Sequence, residues 1–362
     1  MPQLHRRLSF VVPGPLDTPT GGYTYDRLVV DGLRDLGWHV DVDVLGGNYP
    51  HPDAAARAHA AGVFAGLPDG ALVVADGLAL GALPAEVTPH ADRLRLVALV
   101  HHPLALETGV DEATAAALFA SERDALTAAR AVVVTSRATA GRLDAYGVGA
   151  GDVTVVEPGT TAVPAARGSR RVDSAADLEL LCVASLVPRK GHQLLIDALH
   201  QVRGRRWRLT CVGSLTLHPE TAAGIRALAA ARGLGDRVTF TGALDGDALA
   251  VAYDRADVFV LPTHYEGYGM AVAEAVARSL PVVTTRTGAL PDLVDERSGA
   301  VIAPGDLDAL AVALDRMIGD DRHRQRMAEG AAARAAALPT WPQAAAAFDR
   351  LLQRVADGDL QR

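Results

Sequence analysis

Three short runs in the second half of the sequence set charged side chains beside glycines, between apolar strand-like segments and segments of helical spacing. The first is Ser185-Leu186-Val187-Pro188-Arg189-Lys190-Gly191, which joins an apolar, strand-like run to a segment of helical spacing starting near Gly191. A loop in that setting points backbone N–H groups and a helix N-terminus at a ligand, and both favour an anion. Arg189 offers a planar fork and Lys190 a point charge, a pair suited to a diphosphate. A cation at a helix N-terminus opposes the helix dipole by about 0.3–1 kcal/mol, so an anionic ligand explains the pair better than solvent does. Lys190 is also the one lysine in a chain whose positive charge is otherwise arginine.

The second run is Thr263-His264-Tyr265-Glu266-Gly267-Tyr268-Gly269-Met270-Ala271-Val272-Ala273-Glu274. It again follows an apolar strand and opens a helix. Gly267 and Gly269 let backbone approach a ligand closely. Glu266 precedes the helix and Glu274 lies about one turn inside it. Carboxylates so spaced can reach two different hydroxyl-bearing rings. An acidic residue near a helix N-terminus is also favoured by the dipole alone. The third run, Thr284-Thr285-Arg286-Thr287-Gly288-Ala289-Leu290-Pro291-Asp292-Leu293-Val294, reads as a strand, a glycine turn and a short helix.

Taken in order, Arg189-Lys190-Gly191, the Glu266 and Glu274 pair with seven residues between them, and the strand-Gly-x-x-Pro-acid turn resemble glycosyltransferase family 4. The likeness covers the second half well. Gly21-Gly22 and the final helical segment extend it loosely to the full length. Two departures stand out: Thr287-Gly288 where the family often has two glycines, and Asp292 where it often has glutamate. The resemblance implies the α/β GT-B architecture: two Rossmann-like domains facing across a cleft, with a C-terminal helix returning to the N-terminal domain. It implies a retaining transferase that moves a sugar from a UDP- or GDP-linked donor to an acceptor. Arg189 and Lys190 would bind the diphosphate and stabilise the leaving nucleotide. Glu266 would contact the donor sugar and Glu274 the ribose. Backbone N–H groups at Gly269, Met270 and Ala271 would line phosphate and sugar. Gly21 and Gly22 would form a loop closing over the diphosphate. His101 or His102 would touch the donor sugar, and the following Leu104-Ala105 tilts the choice towards His102. A histidine that merely caps a strand end is a close rival reading.

The resemblance implies no cofactor and no metal, because Arg189 and Lys190 take the metal's place. Asp41 and Asp43 form an Asp-x-Asp, but alternation along a strand puts both on its solvent side. A sugar-nucleotide epimerase or phosphorylase-like enzyme on the same frame is the rival enzyme class. A pyridoxal phosphate phosphorylase needs a Schiff-base lysine, and Lys190 sits in a context better suited to phosphate. A non-catalytic nucleotide-sugar-binding protein is the rival outside enzymes. A nicotinamide dinucleotide enzyme is excluded, since no Gly-x-Gly-x-x-Gly follows a strand.

The elements that must hold these residues alternate. Apolar strand-like runs at Leu8–Val12, Val40–Leu45, Leu72–Ala75, Leu96–Val100, Ala131–Thr135 and Val153–Val156 are interleaved with helical spacing, as in a parallel sheet covered on both faces. Pro158–Asp177 interrupts the pattern and reads as a linker. A second series follows, with strands at Leu178–Ala184, Trp207–Val212, Val238–Thr241, Val258–Leu261 and Val282–Thr285. This predicts an N-terminal acceptor-binding domain over 1–165, a nucleotide-sugar-binding domain over 166–340, and a terminal helix over 341–362. The chain's 362 residues suit two domains. With a net charge of −8 and scattered arginines, nucleic-acid binding is not expected. No apolar run is long enough to span a bilayer. Cys182 and Cys211 lie in apolar runs and read as reduced, buried thiols. The expected partners are a nucleotide-sugar and a small-molecule, glycan or lipid acceptor. The expected location is the cytoplasm, with attachment at the inner membrane face left open.

Overall fold

The computed structural model describes residues 6–169 and 177–359. They divide into two compact units. The first runs up to Gly159 and resumes at Pro339, and the second spans Thr160–Leu338.

The first unit holds strands β1 (Arg7–Val12), β2 (His39–Val44), β3 (Leu72–Asp76), β4 (Arg95–Val100), β5 (Ala131–Val134) and β6 (Val153–Val155). Their order is β2-β1-β3-β4-β5-β6, and every pairing is parallel. β3 and β5 are buried along their whole length, as their unbroken apolar runs require in a sheet covered on both faces. The first helix begins at Gly21, where Thr20 before it holds extended, capping backbone. It buries Tyr25, Asp26, Val29, Val30 and Leu33 at helical spacing. A helix at Ala54–Gly66, capped by Asp53, was not legible: alanines run all round it and leave little periodicity.

The helix Trp341–Asp357 returns to this unit. Thr340 and Gln343 form a capping box at its start. Ala345 packs where a side chain on Gly32 would have to go. Trp38 Nε1 donates to Asp349 at 2.7 Å, and Arg95 donates to the Ala356 carbonyl at 2.6 Å.

The second unit holds β7 (Leu178–Val183), β8 (Trp207–Val212), β9 (Val238–Gly242), β10 (Val258–Leu261), β11 (Val282–Thr285) and β12 (Gly299–Ile302). The order is β12-β11-β10-β7-β8-β9, again all parallel. β12 adds a strand that sequence reading missed, because a four-residue run led by glycine shows no period. Cys182 and Cys211 are register partners on β7 and β8, and both thiols are free and buried. Of the linker expected over Pro158–Asp177, residues 170–176 lie outside the described residues. Its stretch 166–169 is tied to the second unit: Ala166 N–H donates to the Arg278 carbonyl, and Gly168 N–H to that of Asp254. Among the described residues, no helix is long and apolar enough to cross a membrane.

Candidate functional site

The chain runs outward through β7, β8 and β9, then jumps back to lay β10 against the other edge of β7. Such a reversal opens a crevice beyond the C-terminal ends of the strands. β7, β10 and β11 are consecutive neighbours in the sheet, and each is followed by one of the three runs singled out in the sequence. Their loops are therefore brought together by strand order alone.

The loops are stitched by hydrogen bonds. His264 N–H donates to the Arg189 carbonyl at 2.8 Å, and the Thr263 hydroxyl reaches the carbonyls of Arg189 and Tyr265 at 3.0 Å each. Thr285 Oγ1 donates to the Thr263 carbonyl at 2.5 Å, and Thr287 Oγ1 to that of His264 at 3.1 Å. Two glycines permit the approach. Gly191 has φ +71° and Gly288 φ +52°; a Cβ on the first would strike the Pro262 carbonyl, and on the second the Glu266 carbonyl.

Pro188–Lys190 form one 3-10 turn that presents both cations. Lys190 Nζ lies 2.5 Å from Glu266 Oε1, and Arg189 Nη1 lies 3.8 Å from the same oxygen. Arg189 Nη1 also donates to the Tyr265 carbonyl at 2.8 Å. Burial alone would raise the Glu266 carboxyl, but Lys190 and then Arg189 outweigh it and hold the group below its usual value. The carboxylate thus stays ionised and fixes both cations in position before any ligand arrives.

Gly269, in left-handed backbone, precedes the helix Met270–Ala277 and leaves the N–H groups of its first turn free of a side-chain cap. Glu274 lies in that helix beside Tyr253. Burial raises its carboxyl, against the opposing pull of the Tyr253 hydroxyl and Arg278. Tyr253 is buried and donates to the Ala271 carbonyl at 3.1 Å. Glu266 and Glu274 therefore occupy different environments: the first is clamped by cations, the second lodged beside a phenol. A surface recess of 430 Å³ lined by Arg205, Arg206 and Asp320 contains none of these residues.

In the first unit, His101 follows β4. Its Nε2 lies 2.9 Å from Asp26 and 3.3 Å from Asp76. His102 instead lies 3.9 Å from Glu107. Gly21 and Gly22 sit in the first turn of the opening helix rather than in the loop before it, with Gly22 facing the His101 ring. Asp41 pairs with Arg7 at 3.0 Å on the edge strand β2, and Asp43 is half-buried. Sequence reading missed Asp26 and Asp76. A signal for Asp26 did exist: an aspartate at a position of the helix whose neighbours at helical spacing are all apolar. It also missed His192, whose Nε2 lies 3.6 Å from the Cys182 sulfur.

Comparison with known proteins finds relatives in sequence and neighbours in fold. Over 170 residues the chain is 33% identical to the GDP-mannose-dependent alpha-(1-6)-phosphatidylinositol monomannoside mannosyltransferase of Mycolicibacterium smegmatis, covering 45% of this chain and 44% of that protein. It is 32% identical over 241 residues to the D-inositol 3-phosphate glycosyltransferase of Xylanimonas cellulosilytica, covering 63% and 57% respectively. The chain thus spans about half the length of these relatives. Among solved structures, sucrose-phosphate synthase from Thermosynechococcus elongatus superposes with a TM-score of 0.82 at 22% identity, over 98% of this chain and 100% of that one. Anabaena Alr3699/HepE in complex with UDP and glucose gives 0.76 at 18% identity, over 95% and 99%. These whole-chain likenesses place the fold in the GT-B class. Residues 172–334, which carry all three stitched loops, match the family model for glycosyl transferases group 1.

Proposed function

We propose that the protein is a retaining glycosyltransferase that takes a sugar from a UDP- or GDP-linked donor without a metal ion. The observation that carries this reading is the Lys190–Glu266–Arg189 cluster at the convergence of the loops after β7, β10 and β11. A diphosphate beside Arg189 and Lys190 would meet two preorganised cations. Their field would strengthen as charge builds on the leaving phosphate, which is where electrostatic stabilisation lowers a barrier. Glu266 would accept hydrogen bonds from sugar hydroxyls while holding those cations in place. Glu274 would serve the ribose, and the N–H groups of Gly269, Met270 and Ala271 the phosphate and sugar. The names of two relatives, one GDP-mannose-dependent and one solved with UDP, support a nucleoside diphosphate sugar without choosing the base.

In this reading the acceptor attacks C1 of the donor from the side the diphosphate leaves. The C1–O bond to phosphate breaks, the bond to the acceptor oxygen forms, and the acceptor proton passes to a phosphate oxygen. Gly21, Gly22, His101 and His102 would serve the donor from the N-terminal unit, which would also bind the acceptor. A small molecule, a glycan or a lipid headgroup would each fit that role. Two free, buried thiols suit a cytoplasmic setting. The Schiff-base phosphorylase alternative is disfavoured because the Lys190 ammonium is tied to a buried carboxylate.

The test is nucleotide binding and donor turnover in chelator-treated buffer. UDP or GDP should raise the melting midpoint without metal, and a nucleotide-sugar should be consumed. Lys190→Ala should lower kcat/KM by about 10²- to 10³-fold, the scale of one lost transition-state donor. Binding without turnover of any nucleotide-sugar would favour the non-catalytic reading. No response to any nucleoside diphosphate would overturn both.

A further inference from the structure

β1, β3 and β4 are consecutive neighbours in the first sheet, and the chain beyond their C-terminal ends meets at one imidazole. His101 Nε2 approaches Asp26 Oδ1 at 2.9 Å and Asp76 Oδ2 at 3.3 Å. The Asp26 side chain is fully buried and that of Asp76 almost so. The Tyr25 ring stands edge-on to the imidazole, with centroids 5.1 Å apart at 80°. Gly22 covers another side, where a Cβ would lie 3.5 Å from the ring. Asp26 Oδ2 is buried and faces no hydrogen-bond donor among the described residues.

Charge counting limits what this cluster can be. With a neutral ring and both carboxyls ionised, it would place two buried negative charges around one nitrogen. Burying even one unpaired carboxylate costs several kcal/mol. A ring that carries protons on both nitrogens removes one of those charges and points an N–H between the carboxylates. We propose that Asp26 and Asp76 are positioning residues that hold His101 as a permanent imidazolium, a fixed cation and not a proton acceptor.

The groups facing His101 agree. Burial would lower its pKa, but Asp26 and then Asp76 reverse the effect and lift it to about 10. Burial raises the Asp26 carboxyl, His101 opposes this and Asp76 adds to it, leaving it at about 7. The nearby Tyr23 phenol is pushed up to about 12, by burial first and then by Asp76 and Asp26. The ionisation nearest neutrality therefore belongs to the Asp26 carboxyl and not to the ring. On the glycosyltransferase reading, an imidazolium can donate to a sugar hydroxyl but cannot take the acceptor's proton. That consequence rests on the proposed function, whereas the protonation state does not.

The experiment is a titration of the histidine side-chain nitrogens by 15N NMR on the full chain, with His101→Gln to assign the signal. In the wild type His101 should keep its imidazolium signature from about pH 6 to about 8.5, where an ordinary histidine loses its proton. In Asp26→Asn the midpoint should fall by about 1–3 units, the scale set by one adjacent charge, and Asp26→Glu should restore it. If donor turnover is found, its ionisation near neutrality should vanish in Asp26→Asn. A wild-type midpoint close to that of a free histidine would overturn the proposal, and it decides the matter even if Asp26→Asn does not fold. Broadening of the His101 signal by substoichiometric Mn²⁺ would overturn it too, making the cluster a metal site. Absence of nucleotide binding or turnover would sink the function proposed above and leave the titration unaffected.

Discussion

Lys190 and Glu266 meet at 2.5 Å with little solvent access, 17% for the lysine side chain and 9% for the glutamate. Removing one partner strands a charge that burial makes expensive. Lys190→Ala is accordingly expected to lower stability by about 3–5 kcal/mol, as breaking a buried pair does. Chemical denaturation would measure it, and Lys190→Met with Glu266→Gln should recover most of the loss. A single mutant that melts like the wild type would show that Arg189, 3.8 Å from the same oxygen, already suffices. The pH dependence has a definite sign. The folded-state value of Glu266 lies below the ordinary 4.5, so its contribution is present above about 4.5 and is lost as pH falls through the lowered value. Acid unfolding should shift to higher pH when Lys190 is replaced. At this scale the sequence was readable wherever charge sat in a loop. Arg189, Lys190 and Glu266 could be picked out because charged residues beside glycines and strand ends have few structural reasons to be there, whereas Glu274, inside the helix Met270–Ala277, was singled out by its spacing from Glu266. Asp26 was missed, since one acidic residue in a helix looks like surface unless the apolar residues at helical spacing around it are weighed.

Among the elements, the three stitched loops depend on Gly288 more than its place in a turn suggests. An alanine there must hold φ near +52° and fit a Cβ against the Glu266 carbonyl. Gly288→Ala should cost at least about 1–3 kcal/mol, the scale of one strained backbone residue, and weaken nucleotide binding in the same thermal-shift assay. Unchanged binding would show that Glu266 is placed by its own loop. The His101 cluster gives a second prediction. His101 is raised from 6.5 to about 10, so its stabilisation is complete below 6.5 and is lost as pH rises through 10. Asp26 is raised from 3.8 to about 7, so the fold favours the neutral acid and loses stability as pH climbs between those values. In both windows the folded unit holds more protons than the unfolded chain. Stability contributed by this cluster should fall steadily towards alkaline pH, and Asp26→Asn should flatten that slope. The strands were legible from apolar runs that a doubly covered parallel sheet demands. β12 and the helix Ala54–Gly66 were not, because a four-residue strand and an alanine-rich helix leave no periodic trace.

On the scale of the whole molecule, the first unit is discontinuous in sequence, closed by the helix Trp341–Asp357. That helix buries Phe348, Leu351, Leu352 and Val355. Truncation after Leu338 should expose these partners' contact surface and lower the melting temperature of the first unit selectively, with residues 160–338 keeping their own transition in calorimetry. A single unshifted transition would show that the helix adds little. The return of this helix was expected from family resemblance, whereas its anchors, Ala345 against Gly32 and Asp349 on Trp38, needed coordinates. The discontinuity also orders events during synthesis. Residues 160–338 leave the ribosome before the segment that completes the first sheet's covering. The covering of the first unit is thus completed only after the whole of the second unit has been made, and the face that helix Trp341–Asp357 buries stays bare until then.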